Sequence, residues 1–255
     1  METIGIIAAM PQESQAVLRL VGGRSRSDLG PYRCYRFLVL EWDCWLLTSG
    51  MGVRRAEQAT RALIEAIKPQ LLVSVGIAGA VEADLEIGDV VASDRYCTLD
   101  EQMQPGPLQP LARLSEPAWQ AAVQALQPGG ASLYAGTAIT THGALFTQGQ
   151  PAQITHPVLE METAGIASAA AERGIALLSL RSISDGPRAP IPFDLEKMLD
   201  EQDNLRTGEI LKTIFGHPQM LPALLRNGRN SRKAADNAAL ALLAALSQPG
   251  TILTP

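Results

Sequence analysis

LEMETAGIASAAAERGIALLSLRSISDGP, residues 159–187, joins a predicted helix to a predicted buried strand and decides the fold. From Met161 to Arg173 the residues are mostly Ala, Met, Glu and Ile, which favour helix, and Gly174 stands where helices commonly end. The run IALLSLRSIS that follows is almost continuously apolar, as in a parallel-sheet strand covered on both faces. The stretch therefore predicts an α/β protein.

Two charged residues stand in this apolar strand. Arg181 interrupts it, and Asp185 ends it before a Gly-Pro pair that breaks the strand. Ligands of open α/β sheets bind beyond the carboxyl ends of the strands, although an isolated Asp before Gly-Pro more often caps a turn. Because Glu160, Glu162 and Arg181 accompany it, we interpret Asp185 as a candidate catalytic residue.

A second carboxylate is predicted at the same edge of the sheet. Thr3 to Met10 read as a buried first strand ended by Pro11, and Glu13 follows directly. Glu13 then lies beyond the end of its strand, as Asp185 does. It is equally consistent with a first-turn acid favoured by the helix dipole.

The next segments predict a hairpin and a glycine loop. Residues 32–50 alternate around Glu41-Trp42-Asp43, which predicts a turn there. Gly50 and Gly52 then open a helix and resemble half a dinucleotide-binding fingerprint. We reject that interpretation because Arg55 replaces the third glycine and no acid ends the next strand. Close approach of the backbone to a ligand or a neighbouring strand explains these glycines better.

The remaining elements complete a single predicted domain over residues 1–255. A strand from Leu71 is predicted to turn at Gly76 and Gly79, and further strands and a helix are predicted around Val90, Ala118–Leu126 and residues 133–141. From residue 192 to the end, helices separated by Gly-His-Pro and Asn-Gly form a C-terminal extension. The Ala- and Leu-rich stripe of its last helix predicts packing on the sheet or on a partner subunit.

Composition limits the classes of function. The 255 residues are 46% hydrophobic with a formal net charge of -5, so the chain can bury a full core and has no electrostatic footprint for nucleic acid. Three scattered cysteines and an apolar N-terminal run too short for a signal peptide favour the reducing cytoplasm, and no apolar span is long enough to cross a bilayer. The histidines His142, His156 and His217 lack ligand spacing, so no metal is predicted.

With these segments placed, the chain resembles the nucleoside phosphorylase and nucleosidase superfamily, in particular its methylthioadenosine/S-adenosylhomocysteine nucleosidase branch. The matching segments are IGIIAAMPQE, SGMG, SVGIAGAVEADLEIGDVV and LEMETAGIA with RSISD, in the family order over most of the first 187 residues. The resemblance implies a three-layer α/β/α phosphorylase/hydrolase-like fold with a central mixed, mainly parallel sheet.

The resemblance also implies roles for individual residues. Asp185 would protonate N7 of a purine leaving group, Glu13 would activate water at the anomeric carbon, and Arg181 would help to hold the acid or the water. Glu162 would bind the ribose 2′ and 3′ hydroxyls and Met161 would pack on the sugar. The other substrate-binding residues that it implies are Gly79, Ile77, Leu145 and Phe146. Neither a metal nor an organic cofactor is implied.

Water rather than phosphate is predicted as the acceptor. Phosphorylases of this family resemble one another in an arginine near the first loop and an Arg-x-Gly-Ser/Thr run on the third strand. This chain has Gln12 and Glu13 in the loop and Ser74-Val75-Gly76-Ile77 in the run, and a carboxylate would repel phosphate. Nucleosidases usually carry a serine at the position of Ile77, so the water site departs from the family pattern.

The 5′ substituent of the nucleoside is left among several candidates. The stretch from Phe193 onward resembles nucleosidases of hopanoid lipid synthesis, which places adenosylhopane first and methylthioadenosine or adenosylhomocysteine second. Futalosine-type nucleosides, a phosphorylase activity and a non-catalytic nucleoside-binding module are further alternatives. The resemblance also implies a homodimer, and it leaves peripheral membrane contact undecided.

Overall fold

Ten strands form one sheet in the part of the chain that the computed structural model describes, residues 2–100, 104–141, 154–189 and 221–254. The strands are β1 (Glu2–Ala8), β2 (Ser25–Arg26), β3 (Arg33–Val39), β4 (Trp42–Thr48), β5 (Leu71–Ala80), β6 (Val90–Thr98), β7 (Gln109–Pro110), β8 (Leu133–Thr140), β9 (Pro157–Glu160) and β10 (Ala176–Asp185). The helices are α1 (Pro11–Leu20), α2 (Val53–Ile67), α3 (Glu116–Leu126), α4 (Thr163–Ala171) and α5 (Leu221–Leu246).

The pairing of the strands partly closes the sheet. Parallel pairings join β1 to β4 and β5, β5 to β10, β6 to β8 and β8 to β9, whereas β10 runs antiparallel to β6 and β9 antiparallel to β5. The strands β5, β10, β6, β8 and β9 thereby form a closed ring, and β1, β4, β3 and β2 extend from β5. The predicted mixed sheet is confirmed.

Helices cover both faces of this sheet, which confirms the predicted three layers. Along β1 the side chains alternate, so that Ile6 packs in a core with α1, α3 and α5 while Ile7 packs in a second core with α2 and α4. The helix α5 lies on β5 and β10 and against α1 and α3 through its buried Ala and Leu side chains. Its apolar stripe therefore packs on the sheet, as predicted.

The stretch of residues 159–187 folds as β9, α4 and β10, with one correction. The helix begins at Thr163 rather than Met161, and β9, which was not predicted, ends at Glu160. The Glu160 carboxylate accepts the N–H groups of Glu162 and Thr163 at 3.0 and 2.7 Å. These N–H groups at the start of the helix have no partner within the helix. Glu160, at the end of the preceding strand, therefore caps the helix and does not belong to it.

Three other predictions are wrong in detail. The strand β5 does not turn at Gly76 and Gly79 but continues to Ala80. These glycines do not bend the strand; they leave space for the side chains of Glu13 and Asp185. The hairpin turns at Leu40 and Glu41, and Trp42 already pairs with Val39. The helix α5 runs without a break through Asn227 and Gly228. The Gly-His-Pro segment and residues 192–220 lie outside the described residues.

A close contact between α2 and α4 tests this packing. A Cβ atom added at Gly165 would lie 2.2 Å from the Val53 carbonyl oxygen, and both are backbone positions that cannot rotate away. Gly165→Ala should therefore destabilise the protein by about 1–3 kcal/mol, seen as a lower thermal midpoint. The matched control is Gly228→Ala, at an exposed helical glycine, which should stabilise by about 0.4–1 kcal/mol. Equal midpoints for the two variants would contradict the close packing.

Candidate active site

Glu13 is held between the start of α1 and the strand β5. Its Oε2 accepts the N–H of Met10 at 2.8 Å and its Oε1 accepts the N–H of Ile77 at 2.9 Å. Only 5% of the residue is exposed, and burial raises the pKa of its carboxyl group although the two N–H groups and Arg181 oppose the shift. Glu13 is thus an acid of the first helical turn that caps α1, and it also lies at the edge of the sheet, in contact with β5. The geometry is compatible with both interpretations of this residue.

Gly76 explains how a carboxylate lies so close to the sheet. A Cβ atom at this position would be 2.5 Å from Glu13 Oε1, so any other residue would displace the carboxylate. Gly79 does the same for Asp185, whose Oδ2 would lie 2.9 Å from an added Cβ atom. The two glycines of β5 thus fit the two acids that were predicted at this edge.

Arg181 is a buried charge in the middle of β10. Its Nη2 donates to Ser74 Oγ at 2.7 Å and to Glu160 Oε2 at 2.9 Å. The Nε and Nη1 groups are also buried, and they have no hydrogen-bond partner among the described residues. Since buried donors are normally satisfied, these two groups are suited to hold a water or a substrate oxygen.

Glu160 is the ion-pair partner of Arg181. Burial alone would raise its pKa, but the charge of Arg181 and the hydrogen bonds from Thr140, Arg181 and the Glu162 N–H outweigh burial, so the pKa lies below its usual range. From the sequence, Glu160 is interpreted as a charged neighbour of Asp185 and is assigned no role of its own. Neither it nor Ser74 could be connected with Arg181 from the sequence, because the contacts join residues that are far apart in the chain.

Glu162 has the opposite electrostatic environment. Its Oε1 accepts the N–H of Gly52 at 3.0 Å, and its Oε2 lies 3.8 Å from Arg181 Nη2, beyond hydrogen-bond distance. Burial and then the charge of Glu160 raise its pKa to about 8. Gly52 has a φ of 97°, which favours glycine, so the glycine loop before α2 presents its N–H to this carboxyl group.

Asp185 ends β10 opposite Gly79 and is half-buried. Burial raises the pKa of Asp185, and the hydrogen bond that Ser184 Oγ donates to its Oδ1 at 2.6 Å lowers it by less. A carboxyl group with a raised pKa is better suited to act as a general acid than an ordinary aspartate. The geometry is thus compatible with the predicted chemistry.

One small cavity brings three of the predicted residues together. It is lined by Ile7, Ala9, Glu13, Ser74, Val75, Glu162, Ile166 and Arg181. Asp185 is not among the lining residues and lies four residues beyond Arg181 on the same strand. Ile77 contacts Glu13 through its backbone N–H, and Met161 is half-buried in the turn before α4.

The other predicted residues fall elsewhere or outside the described chain. Leu145 and Phe146, as well as His142 and His217, lie outside the described residues. His156 hydrogen-bonds through Nδ1 to the Ala135 carbonyl at 2.9 Å and packs on Tyr134, so it serves loop packing.

Two further properties concern the part of the chain that the structure describes. Within it, no group of three or more His, Cys, Asp or Glu side chains is arranged to hold a metal ion. None of the described helices combines the length and the hydropathy that a bilayer crossing needs.

This fold and these buried acids are typical of an α/β enzyme equipped for acid and base catalysis. The model of the phosphorylase superfamily matches residues 3–215. The chain therefore belongs to the phosphorylase superfamily and is an enzyme similar to the methylthioadenosine/S-adenosylhomocysteine nucleosidases. The predicted family is confirmed.

Relatives and solved structures agree with this assignment. A 5'-methylthioadenosine/S-adenosylhomocysteine nucleosidase of Glaesserella parasuis serovar 5 is 29% identical over 198 residues, 71% of this chain and 85% of the relative. The one of Haemophilus influenzae (strain PittEE) is 29% identical over 210 residues, 77% of this chain and 91% of the relative.

Two solved structures show a similar fold. The Neisseria meningitidis nucleosidase in complex with methylthio-immucillin-A has a TM-score of 0.68 at 18% identity, covering 97% of this chain and 99% of that one. The futalosine hydrolase of Helicobacter pylori has a TM-score of 0.65 at 20% identity, covering 95% and 96%. The predicted fold is confirmed by both.

The raised pKa of Glu162 gives a testable pH dependence of stability. Between pH 4.5 and about 8 the folded chain keeps a proton on Glu162 that the unfolded chain has released, so stability falls as pH rises through this window. One such proton accounts for at most about 1.4 kcal/mol per pH unit. In urea unfolding at several pH values, Glu162→Gln should flatten the decline. The control Glu172→Gln, at an exposed carboxylate, should leave the decline unchanged. The same slope of unfolding free energy against pH in the native protein and both variants would contradict the raised pKa of Glu162.

Proposed function

We propose that this enzyme is a purine nucleosidase, which hydrolyses the N-glycosidic bond of a 5′-modified adenosine and releases adenine. The observation that carries the proposal is the cavity shared by Glu13, Glu162 and Arg181, with Asp185 farther along the same strand, in a member of the phosphorylase superfamily. The names of the relatives, which are nucleosidases, support the same class of reaction.

In the proposed mechanism the proton of Asp185 goes to N7 of the purine as the bond from C1′ to N9 breaks. The departing base is thereby neutralised, and positive charge develops on the sugar as an oxocarbenium-like state. Glu13 takes a proton from the attacking water, whose oxygen forms the new bond to C1′. The products are adenine and the 5′-modified ribose. The raised pKa of Asp185 supports its role as the acid.

Glu13 can still accept a hydrogen bond from a water although both its oxygens accept backbone N–H groups. Each carboxylate oxygen has two lone-pair directions, so Oε1 and Oε2 can each accept one further hydrogen bond. Arg181 Nε and Nη1, which are unpartnered among the described residues, could hold the oxygen of the same water. This arrangement supports Glu13 and Arg181 as the groups that position it.

Water is favoured over phosphate by the charges around the cavity. Three carboxyl groups, those of Glu13, Glu160 and Glu162, lie near a single guanidinium, and Arg181 is already paired with Glu160. A phosphate dianion placed there would find Arg181 already paired with Glu160 and would be repelled by the Glu160 carboxylate. Ile77 contributes only its backbone N–H to the hydrogen bonds of the site. It lacks the Ser or Thr hydroxyl that the resemblance leads us to expect in a phosphorylase.

The 5′ group has two leading candidates. We place adenosylhopane first, with ribosylhopane as the product, because of the resemblance of the stretch from Phe193 onward, whose first part, up to residue 220, lies outside the described residues. The apolar stripe of α5 is used in packing on the sheet and adds no support. Methylthioadenosine or adenosylhomocysteine is second, favoured by the names of the relatives. We further propose a cytoplasmic homodimer.

Adenine release decides between these candidates. The assay compares methylthioadenosine with an adenosine that carries a long hydrocarbon at C5′, each with and without phosphate. We expect release without phosphate and a higher kcat/KM for the long apolar substrate. Better use of methylthioadenosine would transfer the assignment to the second candidate. Strict dependence on phosphate would contradict hydrolysis.

Asp185→Asn tests the general acid. The amide cannot give a proton to N7, so kcat for adenine release should fall by roughly 10²–10⁴-fold while nucleoside affinity changes little. Asp236→Asn, at an exposed carboxylate that pairs with Arg19, should retain full activity. Full activity of Asp185→Asn would remove Asp185 from the mechanism.

A further inference from the structure

The buried site contains more acids than one cation can neutralise. Glu13, Glu160 and Glu162 are all nearly inaccessible, and Arg181 is the guanidinium that lies among them, itself 2% exposed. An unpaired buried charge is costly, so three ionised carboxylates beside one guanidinium would be strongly unfavourable. The arrangement must therefore select between Glu160 and Glu162, the two acids closest to Arg181 Nη2.

Hydrogen bonds select Glu160 as the ionised group. Its Oε2 accepts from Arg181 Nη2 at 2.9 Å, from the N–H groups of Glu162 and Thr163, and from Thr163 Oγ1 at 2.8 Å. Its Oε1 accepts from the Thr140 hydroxyl. All of these partners are donors, and a carboxylate that accepts several donors is stabilised in its charged form.

Arg181 donates a hydrogen bond to Glu160 but not to Glu162. The Nη2 group makes its short contacts with Ser74 Oγ and Glu160 Oε2, and it remains 3.8 Å from Glu162 Oε2. Glu162 thus receives one backbone N–H, from Gly52, and no ion-pair partner at hydrogen-bond distance. Of the two acids that face the guanidinium, only Glu160 is neutralised by it.

We propose that Glu160 is a positioning residue: it takes Arg181 as its own partner and thereby leaves Glu162 protonated, as a hydrogen-bond donor to the sugar of the substrate. This inference rests on the proposed function only for the identity of the sugar. Because Glu162 Oε1 accepts from Gly52, the proton lies on Oε2. A neutral carboxyl group both donates and accepts, and this suits the two adjacent hydroxyls of a ribose.

The protonation of Glu162 depends on charges from several elements. Glu160, at the end of β9, and Glu13, on α1, raise its pKa, whereas Arg181, on β10, lowers it. The start of α2 contributes the Gly52 N–H, which also lowers it. With the pKa at about 8, sugar binding should weaken above that pH as the donor is lost.

Glu160→Gln tests the inference. Without the Glu160 charge, Arg181 is free to pair with Glu162, which then ionises at lower pH and no longer donates to the sugar. We expect KM to rise roughly tenfold with a smaller change in kcat, the equivalent of one lost hydrogen bond between neutral groups. The alkaline decline of kcat/KM should move to lower pH. An alkaline limb at the same pH as in the native protein would overturn the proposal.

Thr140→Val is the matched control. It removes one hydrogen bond to Glu160 Oε1 without changing the charge of the cluster. Some stability should be lost, but the alkaline limb should stay where it is in the native protein. A shift as large as that of Glu160→Gln would show that packing around Glu160, rather than its charge, sets the profile, and would overturn the proposal.

Infrared spectroscopy of the native protein makes the test independent of substrate and of the folding of any Glu160 variant. A protonated carboxyl band that is present at neutral pH, titrates near pH 8 and is missing in Glu162→Gln supports the proposal. Absence of such a band overturns it. If the native protein releases adenine from no nucleoside but shows the band, the proposed function fails while the state of Glu162 stands.

Discussion

The ion pair between Arg181 and Glu160 is the interaction on which the rest of the site depends. It joins the middle of β10 to the end of β9, and the same carboxylate caps α4 through the N–H groups of Glu162 and Thr163. Strand position, helix start and guanidinium orientation are therefore set by one group. Since removing one partner of a buried pair leaves an uncompensated charge, this part of the sheet has little freedom to rearrange.

Close approach to β5 is the second constraint, and it accounts for the glycines of that strand. The carboxyl groups of Glu13 and Asp185 occupy the space that a Cβ atom would take at Gly76 and Gly79. Burial against the strand is also what raises the pKa of both acids. The lack of a side chain at Gly76 and Gly79 and the raised pKa values of the two acids thus have the same physical origin, the close approach of the acids to β5.

The sequence predicts local features of this site better than its long-range contacts. Asp185 and Glu13 could be predicted because each follows an apolar run that ends at a breaker, and such strand ends meet at one edge of a parallel sheet. The contact of Gly52 with Glu162, and that of Ser74 with Arg181, join residues 110 and 107 positions apart and leave no local signal. The glycines of β5 were misinterpreted for the same reason, since a glycine that bends a strand and one that admits a distant side chain look alike in sequence.

Ile77 departs from the family pattern, and the proposed mechanism accommodates this departure. At this position a backbone N–H, which does not depend on the side chain, holds Glu13. The loss of a hydroxyl therefore leaves the orientation of the carboxylate intact and removes only one possible donor to the water. Arg181 retains two buried N–H groups, Nε and Nη1, without partners among the described residues, and these can replace that donor.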